Sequence, residues 1–284
     1  MPRLYWLLAA GLAASAVQAA EPLPRLMSTN ICADVLALGL ADPAQIVSLS
    51  RQSQDAQRFS LASQAKQFAA NDASAEDVLH LKPQIVLASR RWSARYQASL
   101  FKRHDIQIVT VPFPTDWDGI FSSTKRMGKA MGREQAAKEL LASIDQRLKQ
   151  LQATPRPFNA LYLRPNGGSA GAKTHVDAVL TAAGLHNHAT ALGLQGWGRI
   201  DLERILQNPP DVFITPSMVN DLAYARSALG RHPQMKKLLE RIPVVALQQN
   251  DWGCSNWQLI EAAESMAAQV DALRIKPIGA ELKS

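Results

Sequence analysis

Short apolar runs alternate with helical patterns along this chain, and this alternation limits the fold more than any other feature of the sequence. The apolar runs are rich in aliphatic residues and are bounded by turn residues, which is typical of buried parallel strands. We therefore predict an α/β protein with parallel sheets. The predicted strands are Leu26–Ser28, Ile46–Ser50, Gln84–Ser89, Ile106–Val111, Ala160–Arg164, Asp211–Thr215 and Val244–Leu247.

The longest helical pattern lies between the fourth and the fifth predicted strands. Its apolar residues recur at steps of three, four or seven, and it begins near Gly132 and ends at Thr154-Pro155. A helix of about 18 residues spans about 27 Å and is stiff, unlike a Gly/Ser tether. We therefore predict two lobes that are joined by this helix.

The first 19 residues have the pattern of a secretory signal peptide. Arg3 precedes an apolar run that is shorter than the ~20 residues of a membrane span, and Val17-Gln18-Ala19 fits a cleavage site. The residue after the cleavage point is not a cysteine, so we expect a free periplasmic protein without a lipid anchor. The predicted segments are a signal peptide at 1–19, an N-terminal α/β lobe at 20–115, a helical segment with the interlobe helix at 116–155, and a C-terminal α/β lobe at 156–284.

The chain is basic, with a formal net charge of +7 that includes Arg3. A basic protein suits an anionic ligand or a membrane surface. Nucleic acid is a poor candidate, because the basic residues are scattered and the periplasm is the wrong compartment.

A twelve-residue pattern occurs twice, from Glu76 to Leu87 and from Glu203 to Ile214. A Glu, two aliphatic residues, a Pro and three further apolar residues coincide in register. The pattern predicts a short helix, a proline stop and a buried strand in each lobe. Helix–proline–strand junctions are common in βα proteins, so coincidence remains an alternative, although it explains the shared Glu least well.

Aromatic and arginine side chains gather after the predicted strands. In open α/β sheets, ligands bind outside the carboxyl ends of the strands. Such side chains bind bulky, planar or anionic ligands by stacking and by charge-assisted hydrogen bonds, although each Trp taken alone is equally well explained by packing. The cleft candidates are Asn30, Arg51, Arg90, Arg91, Trp92, Phe113, Trp117, Arg164, Trp197, Trp252 and Trp257.

Two other functions need consideration. The segment 167–171 fits the G-x-S-x-G motif of serine hydrolases around Ser169, and Asp211 or Asp221 followed by His232 completes the chain order of a catalytic triad. A proline and an asparagine break the chain before this Ser, so a glycine-rich loop is the favoured interpretation and a secreted serine hydrolase is the alternative. The histidines lack metal-ligand spacing, so we expect solvated loop histidines and no metal site, with a free-metal-ion binder as a third hypothesis. These histidines are His175, His186, His188 and His232.

Several short motifs stand in the order and spacing of a known family. They are the opening 26–30 with Gly39-Leu40, the strand 82–87, the segment 168–171 with 179–185, and Asp251-Trp252. With these motifs the chain resembles the periplasmic binding proteins for vitamin B12, ferric siderophores and haem, and the resemblance covers essentially all of the mature chain.

The resemblance implies two Rossmann-like lobes with parallel sheets, joined by one long rigid helix, with the ligand held between them. It implies a non-catalytic, monomeric protein without a cofactor of its own, which captures a metal chelate and delivers it to an ABC permease of the inner membrane. It also implies that one Glu on each lobe docks onto the permease, and the matching residues are Glu76 and Glu203. With a stiff linking helix, we expect little closure around the ligand.

The two cysteines gain interest from the same resemblance. It places Cys32 in the first loop of lobe one and Cys254 in the cleft loop of lobe two, on opposite sides of the ligand. Three states stay open: a cross-cleft disulfide, which requires Cα atoms within about 7 Å, free thiols beside a chelate, and buried cysteines.

The identity of the chelate is also open. The arginines favour a ferric siderophore or the propionates of haem, whereas the aromatic residues favour a corrinoid. No Tyr or His stands where an axial haem ligand is expected, so haem ranks third.

Overall fold

The structure is a computed structural model, and it describes residues 22–95, 98–216, 227–247 and 253–273. The predicted signal peptide, Asp221, Asp251 and Trp252 lie outside the described residues. Among the described residues, no helix is long and apolar enough to cross a membrane.

Lobe one is built on a five-stranded parallel sheet in the order β3-β2-β1-β4-β5. The central strands β1 and β4 are buried along their whole length, which explains why they lack an alternating polar pattern. In chain order the elements are β1 (Leu26–Ser28), α1 (Ile31–Leu40), β2 (Ile46–Ser50), α2 (Ala62–Ala65), β3 (Ala70–Asn71), α3 (Ala75–Leu81), β4 (Ile85–Ala88), α4 (Arg90–Arg95), α5 (Ala98–Lys102) and β5 (Gln107–Thr110).

Two helices pass between the lobes, α6 (Trp117–Ala130) and α7 (Glu134–Gln152). The helix α7 places Ala137 in the core of lobe one and Ile144 in the core of lobe two. The helix α6 runs beside it and also reaches both cores, through Ile120 and Met127. The predicted rigid interlobe helix is therefore present as α7, and α6 makes the connection a helical pair.

Lobe two has a four-stranded parallel sheet in the order β11-β10-β6-β8, and β7 and β9 form a separate antiparallel pair. In chain order the elements are β6 (Asn159–Tyr162), β7 (Gly168–Ala170), α8 (His175–Ala182), β8 (His186–Asn187), α9 (His188–Ala191), β9 (Trp197–Arg199), α10 (Leu202–Gln207), β10 (Val212–Thr215), α11 (Ala228–Arg231), α12 (Pro233–Arg241), β11 (Val244–Ala246) and α13 (Leu259–Ala272).

The two sheets repeat one arrangement. In lobe one β1 lies between β2 and β4, and β5 pairs with β4; in lobe two β6 lies between β8 and β10, and β11 pairs with β10. The twelve-residue sequence repeat falls on equivalent places, since α3 and α10 precede β4 and β10. Val78 and Ile205, at matching positions of these helices, are both fully buried. The repeat is therefore structural as well as sequential.

All seven predicted strands are present, with ends that differ by at most two residues. The sequence prediction missed β3 and β8, which have two residues each, and it assigned the region of β7 to a loop.

Candidate functional site

A cavity of about 470 Å³ opens at the carboxyl ends of β1, β4 and β5. The segments that follow these strands form its walls, as expected for an open parallel sheet. Arg90 and Arg91 begin α4 directly after β4, and both are exposed. The lining residues are Asn30, Cys32, Ser89, Arg90, Arg91, Thr110, Val111, Pro112 and Phe113.

Asn30 has a structural task at the same edge of the sheet. Its side-chain oxygen accepts a hydrogen bond of 3.2 Å from the backbone N–H of Ala33 and so caps the N-terminus of α1. One side chain therefore fixes the start of a helix and lines the cavity.

Phe113 links this cavity to an aromatic cluster on lobe two, which consists of His175, Trp197 and Tyr162. Phe113 is 56% exposed, and its ring meets that of His175 edge-on, with the ring centroids 5.2 Å apart. The rings of His175 and Trp197 are 5.6 Å apart, and those of Trp197 and Tyr162 are 6.1 Å apart. Of these four rings, those of Phe113 and Trp197 are exposed, and the buried His175 connects them across the two lobes.

Arg164 joins the aromatic cluster from the segment that follows β6. Its guanidinium carbon lies 4.4 Å from the centroid of the Trp197 ring, within the range of a cation–π interaction. Its Nε also donates a hydrogen bond of 3.0 Å to the hydroxyl of Tyr162. Trp197 begins β9, so the antiparallel pair of β7 and β9 carries the indole, and the segment after β6 carries the guanidinium that lies over it.

Three arginines at the cleft have no carboxylate partner in the part of the chain that the structure describes. Among the described residues, Arg90, Arg91 and Arg164 take part in no ion pair. Exposed guanidinium groups that no described carboxylate neutralises can bind an anionic ligand.

Arg51 differs from these arginines because it is paired with a carboxylate, and its role in ligand binding stays a prediction. Its Nε lies 2.5 Å from a carboxylate oxygen of Asp72, and this contact lowers the pKa of Asp72. Arg51 lines a second cavity of about 400 Å³ on lobe one, which shares none of its lining residues with the first.

Three of the predicted aromatic residues are packing residues. Trp92 is 9% exposed, donates a hydrogen bond of 2.7 Å to the carbonyl of Ala73 and stacks on Phe101, so its prediction as a cleft residue is wrong. Trp117 is half-buried against the core of lobe two and donates to the carbonyl of Ala178. Trp257 contacts both cores.

A disulfide joins Cys32 to Cys254, with a Cα–Cα distance of 5.2 Å. Cys32 lies in the first turn of α1 in lobe one, and Cys254 precedes α13 of lobe two. Of the three states that the sequence leaves open, the structure has the cross-cleft disulfide.

A carboxylate is buried in lobe one between α1 and the strands β1 and β2. Asp34, in α1, is fully buried and accepts hydrogen bonds from the side chains of Ser28 and Ser50 and from the backbone N–H of Ser50. Burial raises the pKa of Asp34, and these hydrogen bonds oppose that effect. The carboxylate holds β1, α1 and β2 together at the edge where the cavity opens.

The alternative based on Ser169 is contradicted by its position. Ser169 is fully buried in β7, and its hydroxyl donates a hydrogen bond of 2.6 Å to the carbonyl of Tyr162. A nucleophile must instead be exposed at a sharp turn after a strand. Of the other residues proposed for the catalytic triad, Asp211 accepts a hydrogen bond from the backbone N–H of Asn159, and His232 caps the N-terminus of α12.

The prediction of solvated histidines is wrong for two of them. His175 is 3% exposed, and His188 is 2% exposed with its Nε2 2.8 Å from the carbonyl oxygen of Asn208. His186 is exposed. The described residues contain no group of three or more His, Cys, Asp or Glu side chains that could hold a metal ion.

Sequence reasoning missed Tyr162 and His175 as parts of the aromatic cluster. Tyr162 lies inside a predicted strand, and a strand pattern does not reveal that its hydroxyl contacts Arg164. His175 begins α8 after the capping residue Thr174, and this helix start was the one available signal.

Glu76 and Glu203 occupy equivalent, exposed positions in the first turns of α3 and α10. Within the described residues, neither carboxylate takes part in an ion pair. Two positions after each Glu, Val78 or Ile205 is fully buried in the core of its lobe, and this packing fixes the position of the helix that carries the Glu.

Solved structures with the same fold come from bacterial periplasmic binding proteins. The periplasmic haem-binding protein HutB of Vibrio cholerae matches with a TM-score of 0.70 and 17% identity, over 87% of this chain and 98% of that chain. A periplasmic haem-binding protein of Pseudomonas aeruginosa matches with a TM-score of 0.62 and 20% identity, over 90% and 95%. The periplasmic vitamin B12-binding protein BtuF of Vibrio cholerae matches with a TM-score of 0.62 and 16% identity, over 90% and 99%.

The family assignment rests on a comparison of sequences and not of structures. No curated protein matches the chain at a significant level. A family model described as "Periplasmic binding protein" matches residues 27–237, which is most of the chain and includes parts of both lobes. The chain therefore belongs to the periplasmic binding protein family.

Proposed function

We propose that this protein binds a metal chelate, a ferric siderophore or a corrinoid, between its lobes and delivers it to an ABC permease of the inner membrane. The observation that carries the proposal is the set of cleft arginines, which have no carboxylate partner among the described residues, next to the aromatic cluster and Phe113. A chelate is large, partly flat and often anionic, so stacking and charge-assisted hydrogen bonds act on it together.

The ligand is cargo in this proposal, and the chain carries out no reaction. The buried, hydrogen-bonded Ser169 supports a binding role over hydrolysis. The haem-binding proteins among the structural relatives keep haem in the set of chelates to be tested.

Export supports the same proposal. The signal peptide pattern at 1–19 directs the chain to the periplasm, where a binding protein meets its permease. Mass spectrometry of the exported protein should give an N-terminus at residue 20, whereas an uncleaved chain would contradict this part of the proposal.

The direct experiment is a titration of the mature protein with ferric hydroxamate and ferric catecholate siderophores, cyanocobalamin and haemin. Tryptophan fluorescence serves as the readout because Trp197 is exposed beside the cavity. We expect saturable quenching with a stoichiometry of one by one class of chelate. A stoichiometric bare metal ion in the purified protein, or an esterase activity that Ser169→Ala abolishes, would refute the proposal.

A further inference from the structure

The disulfide crosses the ligand cleft at a place where both partners are fixed. Cys32 is held by α1, whose residues Val35, Leu36 and Leu40 are buried in the core of lobe one. Cys254 is 8% exposed and is followed by α13, whose Leu259 and neighbours belong to the core of lobe two. The covalent bond therefore links the two cores, not two loose loops.

The chain that follows Cys254 is fitted against lobe one. The Ser255 hydroxyl donates a hydrogen bond to the carbonyl of Pro114, and Gln258 Nε2 lies 2.9 Å from the Ser60 hydroxyl. The Trp257 ring lies so close to Gly39 that a Cβ at position 39 would be 2.6 Å from it. These contacts place the disulfide inside a close lobe–lobe junction.

The disulfide lies away from the helical connection. At its C-terminal end α1 is held by Arg133, whose Nε donates a hydrogen bond of 3.1 Å to the carbonyl of Leu40. Cys32 is eight residues earlier, about 12 Å along the helix axis. The disulfide therefore holds lobe two at the end of α1 that is opposite to the helical connection.

The bond leaves little room for movement. The Cα atoms of a disulfide are rarely more than about 6.8 Å apart, so from the observed 5.2 Å the two lobes can separate here by only about 2 Å. Cys32 itself lines the cavity of about 470 Å³, which is in the lower half of the ~300–1,000 Å³ range of small-molecule sites. The lining residues of this cavity all belong to lobe one, and the bond from Cys32 to Cys254 limits how far lobe two can lie from the cavity.

We propose that the Cys32–Cys254 disulfide fixes the width of the cleft and thereby selects compact chelates against bulkier ones. The mechanical part of this proposal, the fixed width of the cleft, does not depend on any ligand. The selectivity part, the preference for compact chelates, rests on the proposed function. Cys32 and Cys254 act as positioning residues, since they set the distance between the walls that bind the chelate.

The mechanical part is tested by the distance between spin labels on exposed residues of the two lobes, attached through K66C and K236C. Peptide mapping first verifies the native disulfide; two free thiols in the oxidised protein would refute the proposal. We expect a narrow distance distribution in the wild-type background and one that extends to longer distances in Cys32→Ser/Cys254→Ser. Equal distributions would overturn the proposal that the disulfide fixes the width of the cleft. If the double variant does not fold, the labels are first attached to K66C and K236C of the wild-type background through thioether bonds, which survive reduction, and the native disulfide is then reduced and alkylated.

The selectivity part is tested with the same two proteins and two probes, a ferric hydroxamate siderophore and cyanocobalamin, which is the bulkier. We expect the ratio of their affinities to shift by at least about tenfold towards cyanocobalamin when the disulfide is removed. An unchanged ratio, with affinities lowered equally, indicates a structural role only and overturns the selectivity part. If neither protein binds any chelate, the proposed function fails, but the distance measurement still tests whether the disulfide fixes the width of the cleft.

Discussion

The two lobes share a scaffold but meet the cleft with different surfaces. Lobe one presents a cavity with Arg90 and Arg91 at the start of α4, directly after a strand of its sheet. Lobe two presents Arg164 and the aromatic cluster, and Trp197 belongs to an antiparallel pair of strands that has no counterpart among the described residues of lobe one. The repeated parts hold the structure, and the parts that are not repeated carry the side chains of the proposed binding site.

The largest test of this comparison concerns the shared scaffold. Leu87 in β4 and Ile214 in β10 are equivalent and fully buried. We expect Leu87→Ala and Ile214→Ala each to lower the free energy of unfolding by about 2–5 kcal/mol, because each leaves a cavity in its core. Chemical denaturation gives this value, and Leu206→Ala, at a position that is 39% exposed, is the control. Two separate transitions would show that the lobes unfold independently.

The second test concerns the surfaces that differ. Hydrogen bonds to charged groups contribute about 1.5–3 kcal/mol, so we expect Arg164→Gln to weaken the binding of an anionic chelate about 10-fold to 100-fold. The pair Arg90→Gln/Arg91→Gln should have a comparable effect from lobe one. Lys236→Gln, at an exposed position on α12, should leave the affinity unchanged. A loss confined to one lobe would mean that the other lobe only covers the ligand.

The third test concerns Glu76 and Glu203, which occupy equivalent exposed positions on the two lobes. Charge reversal by Glu76→Lys or Glu203→Lys should reduce uptake by a reconstituted importer at least about fivefold, because like charges then meet at the docking surface. Ligand affinity should not change. Glu240→Lys, which reverses another exposed carboxylate of lobe two, is the matched control. Reduced affinity in the Glu76 or Glu203 variants would contradict a docking role.

The smallest effect concerns Asp34, which ties α1 to β2 in lobe one. Burial raises the pKa of Asp34 above its ordinary value of 3.8, so the folded chain holds this proton more tightly than the unfolded chain does. The free energy of unfolding should therefore fall as the pH rises from about 3.8 through the raised pKa. In Asp34→Asn this part of the pH dependence should disappear, whereas Leu206→Ala should keep it. Denaturation at several pH values measures the slope, and an unchanged slope in Asp34→Asn would disprove the assignment.

Much of the fold follows from local sequence, because buried parallel strands are continuous apolar runs. The strands β3 and β8 were missed because two residues are too few for a pattern. The antiparallel pair was missed because Gly168 and Gly198 make its strands look like a loop.

The site depends on contacts that local sequence does not contain. Trp92 and Trp197 both lie near strands, but only Trp92 finds a carbonyl acceptor, on Ala73, that directs it into the core. Arg51 looks like Arg90 in the sequence, and its difference comes from Asp72, which lies 21 residues later. The disulfide joins residues 222 positions apart, and such a spacing gives no information about distance.

The close contact between Gly39 and Trp257 has a consequence for the order of folding. Trp257 packs against the cores of both lobes, yet it lies near the end of the described chain. Lobe one therefore lacks part of its covering until residue 257 of lobe two has been synthesised. A nascent chain that stops before this residue should keep the groove at Gly39 open, so lobe one completes its packing only together with the C-terminal part of lobe two.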